Sequence, residues 1–173
     1  KTAIDLPQGK NLVGAFYQPK LVLADPDCFA TLSDRIICDG MAEVIKYGMI
    51  ADAQLLSLLE SLRGVGDLAA HWEEIVSTCC AIKRDVVCED ERDTGRRGIL
   101  NFGHTLGHAV EAVQQYNGLR HGEAVALGMA VITRMSEARG LTVPGTSARL
   151  ETLLTALSLP THLEGVAPET LLT

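Results

Sequence analysis

The stretch from Leu100 to Met129 reads LNFGHTLGHAVEAVQQYNGLRHGEAVALGM, and it gathers three of the chain's five histidines, each beside a glycine. Positions i and i+4 of a helix lie one above the other, so His104 and His108 point into the same space. The helical periodicity of GHAVEAVQQYNGL runs to Tyr116, and Asn117-Gly118 supplies a left-handed stop. His121 therefore opens the next helix. Two helices joined by a short loop can bring their histidines to one ion, and Gly103, Gly107 and Gly122 would let the backbones around it approach closely. A histidine pair on a helix is more often a satisfied core or surface pair than a metal site, so this stretch alone does not decide the matter.

A second stretch bears on it. In DGMAEVIKYGMIAD, Asp39 to Asp52, a carboxylate at Glu43 interrupts an otherwise apolar helical run, with Lys46 one turn on. Buried glutamates are rare unless paired or bound to a cation. Glu43 is either half of an ordinary i,i+3 surface pair or an inward-facing ligand. In the second case two imidazoles and a carboxylate would make the three-ligand, open-position set of a catalytic zinc site.

Composition narrows the remaining classes. The formal charge is −7 over 173 residues with no basic run, which argues against a nucleic-acid surface. Hydrophobic residues make up 47% and aromatics 4%, which favours packed helices over a sandwich and one core of ordinary size. The longest apolar run, Ala124 to Thr133, falls short of the roughly 20 residues a membrane span requires, so a soluble protein is expected. Cys28, Cys38, Cys79, Cys80 and Cys88 are odd in number, lack C-x-x-C spacing and read as reduced thiols of a cytosolic protein. The chain opens at Lys1 without a methionine, and it is expected to be a piece of a longer protein.

Taken in order, KTAIDLPQGKNLVGAFYQPK is turn-rich and reads as connecting loop, with Lys1 and Lys10 available to a phosphate. LVLADP, ending at Pro26, is the one expected strand. Ser33 is expected to cap a helix beginning DRII, with a break at Gly40 before AEVIKYGMI. Asp52 caps AQLLSLLESL, and Asp67 caps a long run to about Cys88 whose inner face is Leu68, Ile75, Val76, Cys79, Ile82 and Val86. The charged loop CEDERDTGRRG feeds Arg97 and Asn101 into the start of the histidine helix. The helix from His121 ends at Gly140, LTVPGTS links it to the amphipathic SARLETLLTAL, and a last helix starts at Pro168. The expected fold is mainly α, with a short strand-containing N-terminal remnant.

GMAEVIKYG, EDERDTG, LNFGHTLGHAVE and HGEAVALGM, in this order and at these spacings, resemble the 3-dehydroquinate synthases of the shikimate pathway, and the opening twenty residues do too. The resemblance implies a two-domain α/β plus α protein, of which residues 1–32 are the remnant of the NAD-binding domain and 33–173 the helical metal- and substrate-binding domain. It implies that Glu43, His104 and His121 hold Zn2+ or Co2+, while His108 faces the substrate. By the same resemblance Lys46, Lys83, Arg97 and Asn101 bind the substrate's carboxylate, hydroxyl and phosphate groups. Lys1, Lys10 and Asn11 belong to the junction of nucleotide and phosphate sites, and Cys28, Phe29, Ala30 and Thr31 to the segment that contacts NAD. Two departures stand out: Asp93 where Glu is common, and Arg96 where an apolar residue is usual.

The implied reaction converts 3-deoxy-arabino-heptulosonate 7-phosphate to 3-dehydroquinate and phosphate, with NAD used and regenerated, in a cytoplasmic homodimer that engages neither nucleic acid nor membrane. Three other readings compete. A sugar-phosphate cyclase making aminocyclitol precursors would differ in its carboxylate-binding residues, and Lys83 and Arg97 argue for an acid substrate. A metal-dependent polyol dehydrogenase typically carries Asp where this chain has Glu43. A non-catalytic helical module would have no reason to keep the ligands together with Lys46, Arg97 and Asn101. The isolated chain is expected not to turn over.

Overall fold

Helix α5, His121–Ala138, is the element on which the others are laid, because its sequence leaves it no outer face near its start. Every residue from Gly122 to Ala130 is buried. A helix apolar on all sides is stable only inside a core, and the small residues Gly122, Ala124, Ala126, Gly128 and Ala130 let neighbours approach its axis. The computed structural model describes residues 2–7, 9–15 and 17–162, with the backbone alone at Thr2, Ala3, Asp5, Gly9, Lys10 and Asn11.

Around α5 pack α1 (Asp34–Ile50), α4 (His104–Val113) and α6 (Thr146–Ala156), while α2 (Ala53–Ser61) and α3 (Trp72–Glu89) close the far side of α1. One apolar cluster joins them: Met41, Ala42 and Ile45 of α1, Leu55 and Leu59 of α2, Ile75 of α3, Val125 and Met129 of α5, and Leu150 and Leu154 of α6. Side chains of this size each contribute about 1.5–3 kcal/mol on burial. The protein is mainly α, as its composition and periodicity indicate.

Several local readings are corrected. LVLADP is not a strand: Leu21, Val22 and Leu23 run in extended chain and are exposed, since an apolar run becomes a strand only beside a partner and none of the described residues pairs with it. The opening loop is instead a hairpin of β1 (Thr2–Leu6) and β2 (Gly9–Ala15), pairing Ile4 with Val13 and bulged between Ile4 and Leu6. Pro7-x-Gly9 between two β-branched runs was the turn signal for it.

Gly40 does not break α1, because the tertiary packing of its flanks outweighs about 1 kcal/mol of helix propensity. Ser33 stands at the N-cap of α1 with no capping bond from its side chain, whereas Asp52 Oδ1 accepts from the amides of Gln54 (2.8 Å) and Leu55 (2.9 Å) as expected. Asp67 lies within a 3-10 segment, Val65–His71, and accepts from Arg63 instead of capping α3. The left-handed stop after α4 falls at Gln115 (φ 52°) and Tyr116 (φ 58°), two residues before the expected Asn117-Gly118. There the Gln114 side chain reaches forward and accepts from the Leu119 amide at 2.7 Å, which closes the loop to α5. Gly140 (φ 68°) ends α5 in the left-handed conformation read from the sequence. The helix expected from Pro168 lies outside the described residues.

Candidate metal centre

Three elements deliver the cluster. Glu43 comes from the middle of α1, His104 from the first position of α4 and His121 from the first position of α5. His104 Nε2 lies 3.3 Å and His121 Nε2 3.8 Å from the same atom, Glu43 Oε1. That oxygen is buried and makes no hydrogen bond: His104 is near it without being directed at it as a donor.

Each imidazole has its other nitrogen committed. His104 Nδ1 is 3.2 Å from the Phe102 carbonyl oxygen, and His121 Nδ1 is 3.3 Å from Glu111 Oε2. A carbonyl and an ionised carboxylate only accept, so both Nδ1 atoms carry the proton in these contacts. In the neutral rings both Nε2 lone pairs then face Glu43 Oε1. Three acceptors around one point suit a divalent cation, and two imidazoles with one carboxylate suit zinc or cobalt. The donor set fits the ion.

Burial pushes the Glu43 carboxyl up, but the neighbouring His104 ring, when protonated on Nε2, and the Lys46 ammonium outweigh it and hold Glu43 at about 2. Glu43 is therefore an anion at any physiological pH, as a ligand must be. Its other oxygen, Oε2, accepts from Lys46 Nζ at 2.6 Å. Glu43 thus pairs with Lys46 through Oε2, in a pair that is buried on the lysine side and not at the surface, and leaves Oε1 facing the two histidines. Lys46 itself is only 3% exposed, with its ammonium 5.3 Å from the centre of the Tyr47 ring.

His108, one turn along α4, sits edge-on to His104 with ring centroids 5.4 Å apart and stacks on His121 at 5.8 Å. With Glu111 and His121 it forms a second grouping of potential ligands.

A cleft of about 250 Å³ opens beside Glu43 and His104, and Lys46, Lys83, Arg97 and Asn101 line it. Arg97 and Asn101 are carried by a 3-10 turn, Arg96–Asn101, separate from α4, because Gly103 (φ 79°) breaks the chain between them. The Asp90 carboxylate organises the preceding loop, accepting from the amides of Thr94 (3.0 Å), Gly95 (2.8 Å) and Arg97 (3.0 Å), and these bonds hold its carboxyl at about 2. Asp93 also lines the cleft, in a left-handed conformation (φ 60°) that Asp tolerates. Arg96, the other departure, points away into an ion pair with Glu89.

Cys28 to Thr31 form part of a 3-10 turn, Pro26–Thr31, where Phe29 packs edge-on against Trp72 at 4.7 Å. This segment does not line the cleft. Lys1 lies outside the described residues, and Lys10 and Asn11 are placed on β2 by their backbone alone.

Three features escaped sequence reading. Tyr47 lines the cleft, its hydroxyl pushed up to about 12 by burial and by Glu43. Glu111 is buried behind His121; its spacing of three from His108 and seven from His104 was the available signal. Finally, a clamp fixes the start of α5 against α1. Asp39 Oδ1 accepts from the Glu123 amide at 3.1 Å, Glu123 accepts from the Arg120 amide at 2.9 Å, and Arg35 donates to both Glu123 oxygens at 2.8 and 3.0 Å.

A helical domain with a two-histidine, one-carboxylate cluster beside a cationic cleft is similar to a class of solved enzymes, cyclases that hold NAD+ and a metal ion. Over 98% of its length the chain superposes on 2-epi-5-epi-valiolone synthase from Streptomyces hygroscopicus, solved with NAD+ and Zn2+ bound, at a TM-score of 0.82 and 26% identity. It superposes on a 2-deoxy-scyllo-inosose synthase complexed with carbaglucose-6-phosphate, NAD+ and Co2+ at 0.76 and 25%. The chain covers 48% and 47% of these two structures.

Within that class the chain belongs to the 3-dehydroquinate synthase family. The family's C-terminal model matches residues 40–173 and its N-terminal model residues 1–39. The chain is 50% identical over 95% of its length to the 3-dehydroquinate synthase of Clostridium beijerinckii, and 51% identical over 92% to that of Enterococcus faecalis. It spans about half the length of these curated relatives, 47% and 45% respectively.

Proposed function

We propose that this chain is the metal- and substrate-binding half of a 3-dehydroquinate synthase, which converts 3-deoxy-arabino-heptulosonate 7-phosphate to 3-dehydroquinate and phosphate with NAD and Zn2+ or Co2+. The observation that carries the proposal is the shared wall of the two sites: Glu43 and His104 belong both to the ligand cluster and to the cationic cleft. A substrate held in that cleft by its anionic groups would place a hydroxyl beside Glu43 and His104, two of the residues that would hold the ion.

Bound there, the ion supplies Lewis-acid polarisation of that hydroxyl, and NAD supplies a reversible hydride acceptor. The chain's own residues do the rest. Lys46, Lys83 and Arg97 bring three cations against two carboxylates, Glu43 and Asp93, so the cleft favours an anion. Arg97 is aimed by Asp90 through its amide and by the Glu91 carbonyl, which accepts from its guanidinium at 3.0 Å. Asn101 offers hydrogen bonds to hydroxyls, and His108, exposed beside the cluster, can hold or release a proton near the bound substrate. Such positioning is worth about 7–11 kcal/mol when the reacting atoms are held in line.

The division of the chain into residues 1–32 and 33–173 belongs to the same proposal and is supported by the onset of long α-helices at α1, after a hairpin and a 3-10 turn. So do the nucleotide roles of Lys1, Lys10, Asn11 and Cys28 to Thr31, the cytoplasmic location and the homodimer, which rest on the family resemblance. No helix among the described residues is long and apolar enough to cross a membrane. Identity of about 50% to 3-dehydroquinate synthases against 26% to the valiolone synthase favours the acid substrate.

The test is phosphate release from the keto-sugar acid phosphate by the full-length protein with NAD and Zn2+ or Co2+. Turnover on a neutral sugar phosphate alone would overturn the substrate. Replacing Lys46 or Arg97 by Ala should leave metal content intact and lower turnover severely, because each removes a charge that orients the substrate. Loss of metal along with activity would mark both residues as structural. The 173-residue chain assayed alone should bind metal without sustained phosphate release. Its described residues hold one two-stranded hairpin, and a dinucleotide needs the ends of several parallel strands.

A further inference from the structure

Glu111 is the buried carboxylate for which the cleft has no use. It is 4% exposed, it lies on the face of α4 turned toward α5, and it touches His121 on the side opposite Glu43. A glutamate is seldom enclosed to this extent unless its charge is answered. Here the contact is to a nitrogen of an imidazole whose other nitrogen faces Glu43 Oε1 at 3.8 Å.

We propose that Glu111 is the positioning residue of the metal centre: its carboxylate accepts the Nδ1 proton of His121, which fixes the ring's orientation and its tautomer, so that Nε2 is delivered as a lone pair to the point shared with Glu43 and His104. The inference rests on the reading of Glu43, His104 and His121 as the ligand set.

The reason lies in the exposure of His121. His104 is half-buried and its Nδ1 is tied to the carbonyl of Phe102, two residues away on its own chain segment. His121 is exposed, begins its helix and has no such local acceptor among the described contacts, so its ring would otherwise rotate and exchange tautomers. A partner from the adjacent helix restrains it, and the anionic charge of that partner makes the imidazole a stronger donor to a cation. His108 flanks the same contact by stacking on His121, which limits rotation of the ring but cannot choose its proton.

The second grouping, His108 with Glu111 and His121, offers a rival arrangement in which Glu111 would itself be a ligand. Geometry separates the two. In the proposed arrangement His121 binds through Nε2 and Glu111 stays on Nδ1; in the rival, Nδ1 must lose its proton and bind the ion.

The experiment measures Zn2+ affinity of the full-length protein by competition with a chelator, alongside long-range proton–nitrogen NMR of the histidine rings with His121 assigned by its absence in His121→Gln. Wild type should show the Nδ1–H tautomer at His121 without metal. Glu111→Ala should lose about 10–100-fold in Zn2+ affinity and show mixed tautomers. Glu111→Gln, which keeps shape and an acceptor but not the charge, should fall between and serves if the Ala variant does not fold. Wild-type affinity or an unchanged His121 tautomer in Glu111→Ala overturns the proposal. Metal retained by His104→Ala but lost by His108→Ala establishes the rival site and overturns it as well. A wild-type protein that binds neither Zn2+ nor Co2+ overturns the ligand reading itself.

Discussion

Glu43→Gln in the full-length protein is expected to reduce Zn2+ binding far beyond the about 10–100-fold typical of residues that support a ligand, and to lower stability at the same time. The two effects come from different oxygens. Oε1 is the buried acceptor facing His104 and His121, and a neutral amide there is a poor ligand beside two imidazoles. Oε2 answers the ammonium of Lys46, which is 3% exposed and would be left as a buried charge without its counter-ion. Breaking a fully buried pair from one side costs about 3–5 kcal/mol. Glu43 keeps a third of its side chain exposed, so a smaller loss, about 2–3 kcal/mol, is expected, read as a lowered melting temperature.

Because the origins differ, they can be pulled apart. Adding Lys46→Met to Glu43→Gln removes the stranded ammonium, and the flexible thioether fills its channel. The double variant should regain most of the lost melting temperature while binding no more Zn2+ than the single variant. A single variant that binds Zn2+ as wild type does would remove Glu43 from the ligand set. Equal recovery of stability and metal binding in the double variant would show that the metal loss was only a consequence of local unfolding.

The contrast between what was readable and what was not follows range. His121 was legible as the opening of a helix that follows the one carrying His104 and His108, because a short loop and a glycine stop are local features, and Glu43 stood out because a carboxylate broke an apolar period. Bends were harder. Gly40 carries the strongest breaker signal in α1 and breaks nothing, since the helix is held by packing of Met41, Ala42 and Ile45 against other elements. Gln115 and Tyr116 carry no breaker signal and take the left-handed turn, since the Gln114 side chain closes the loop from a distance no propensity encodes. LVLADP has the composition of a strand, but pairing is a property of two segments and not of one. The clamp of Arg35, Asp39 and Glu123 spans more than 80 residues of sequence, and each member alone looks like an ordinary surface charge.

Gly122→Ala, beside His121, is expected to be a severely damaging single-methyl change. A Cβ built there would sit 1.8 Å from the carbonyl oxygen of Asp39 and 2.7 Å from its carbon, and that obstacle is the backbone of α1, which cannot rotate away as a side-chain tip can. Helices α1 and α5 must separate by more than an ångström to admit the methyl, and that movement pulls on the Asp39–Glu123 bond and the Arg35 clamp that register the two helices. Overpacking usually costs about 1–3 kcal/mol; with backbone as the obstacle about 3 kcal/mol or more is expected, roughly 6–12 °C in melting temperature. The same separation carries His121 away from Glu43, so any protein that remains folded should also bind Zn2+ more weakly. Gly40, on α1 just under one turn before Glu43, is the control. Nothing lies within 4 Å of a Cβ built at Gly40, so Gly40→Ala should stabilise α1 by about 0.5–1 kcal/mol and leave metal affinity unchanged. Thermal melts with and without Zn2+ on both variants decide it: if Gly122→Ala melts and binds like wild type, α1 and α5 are not locked at this crossing, and close approach at glycine does not set the height of His121 over Glu43.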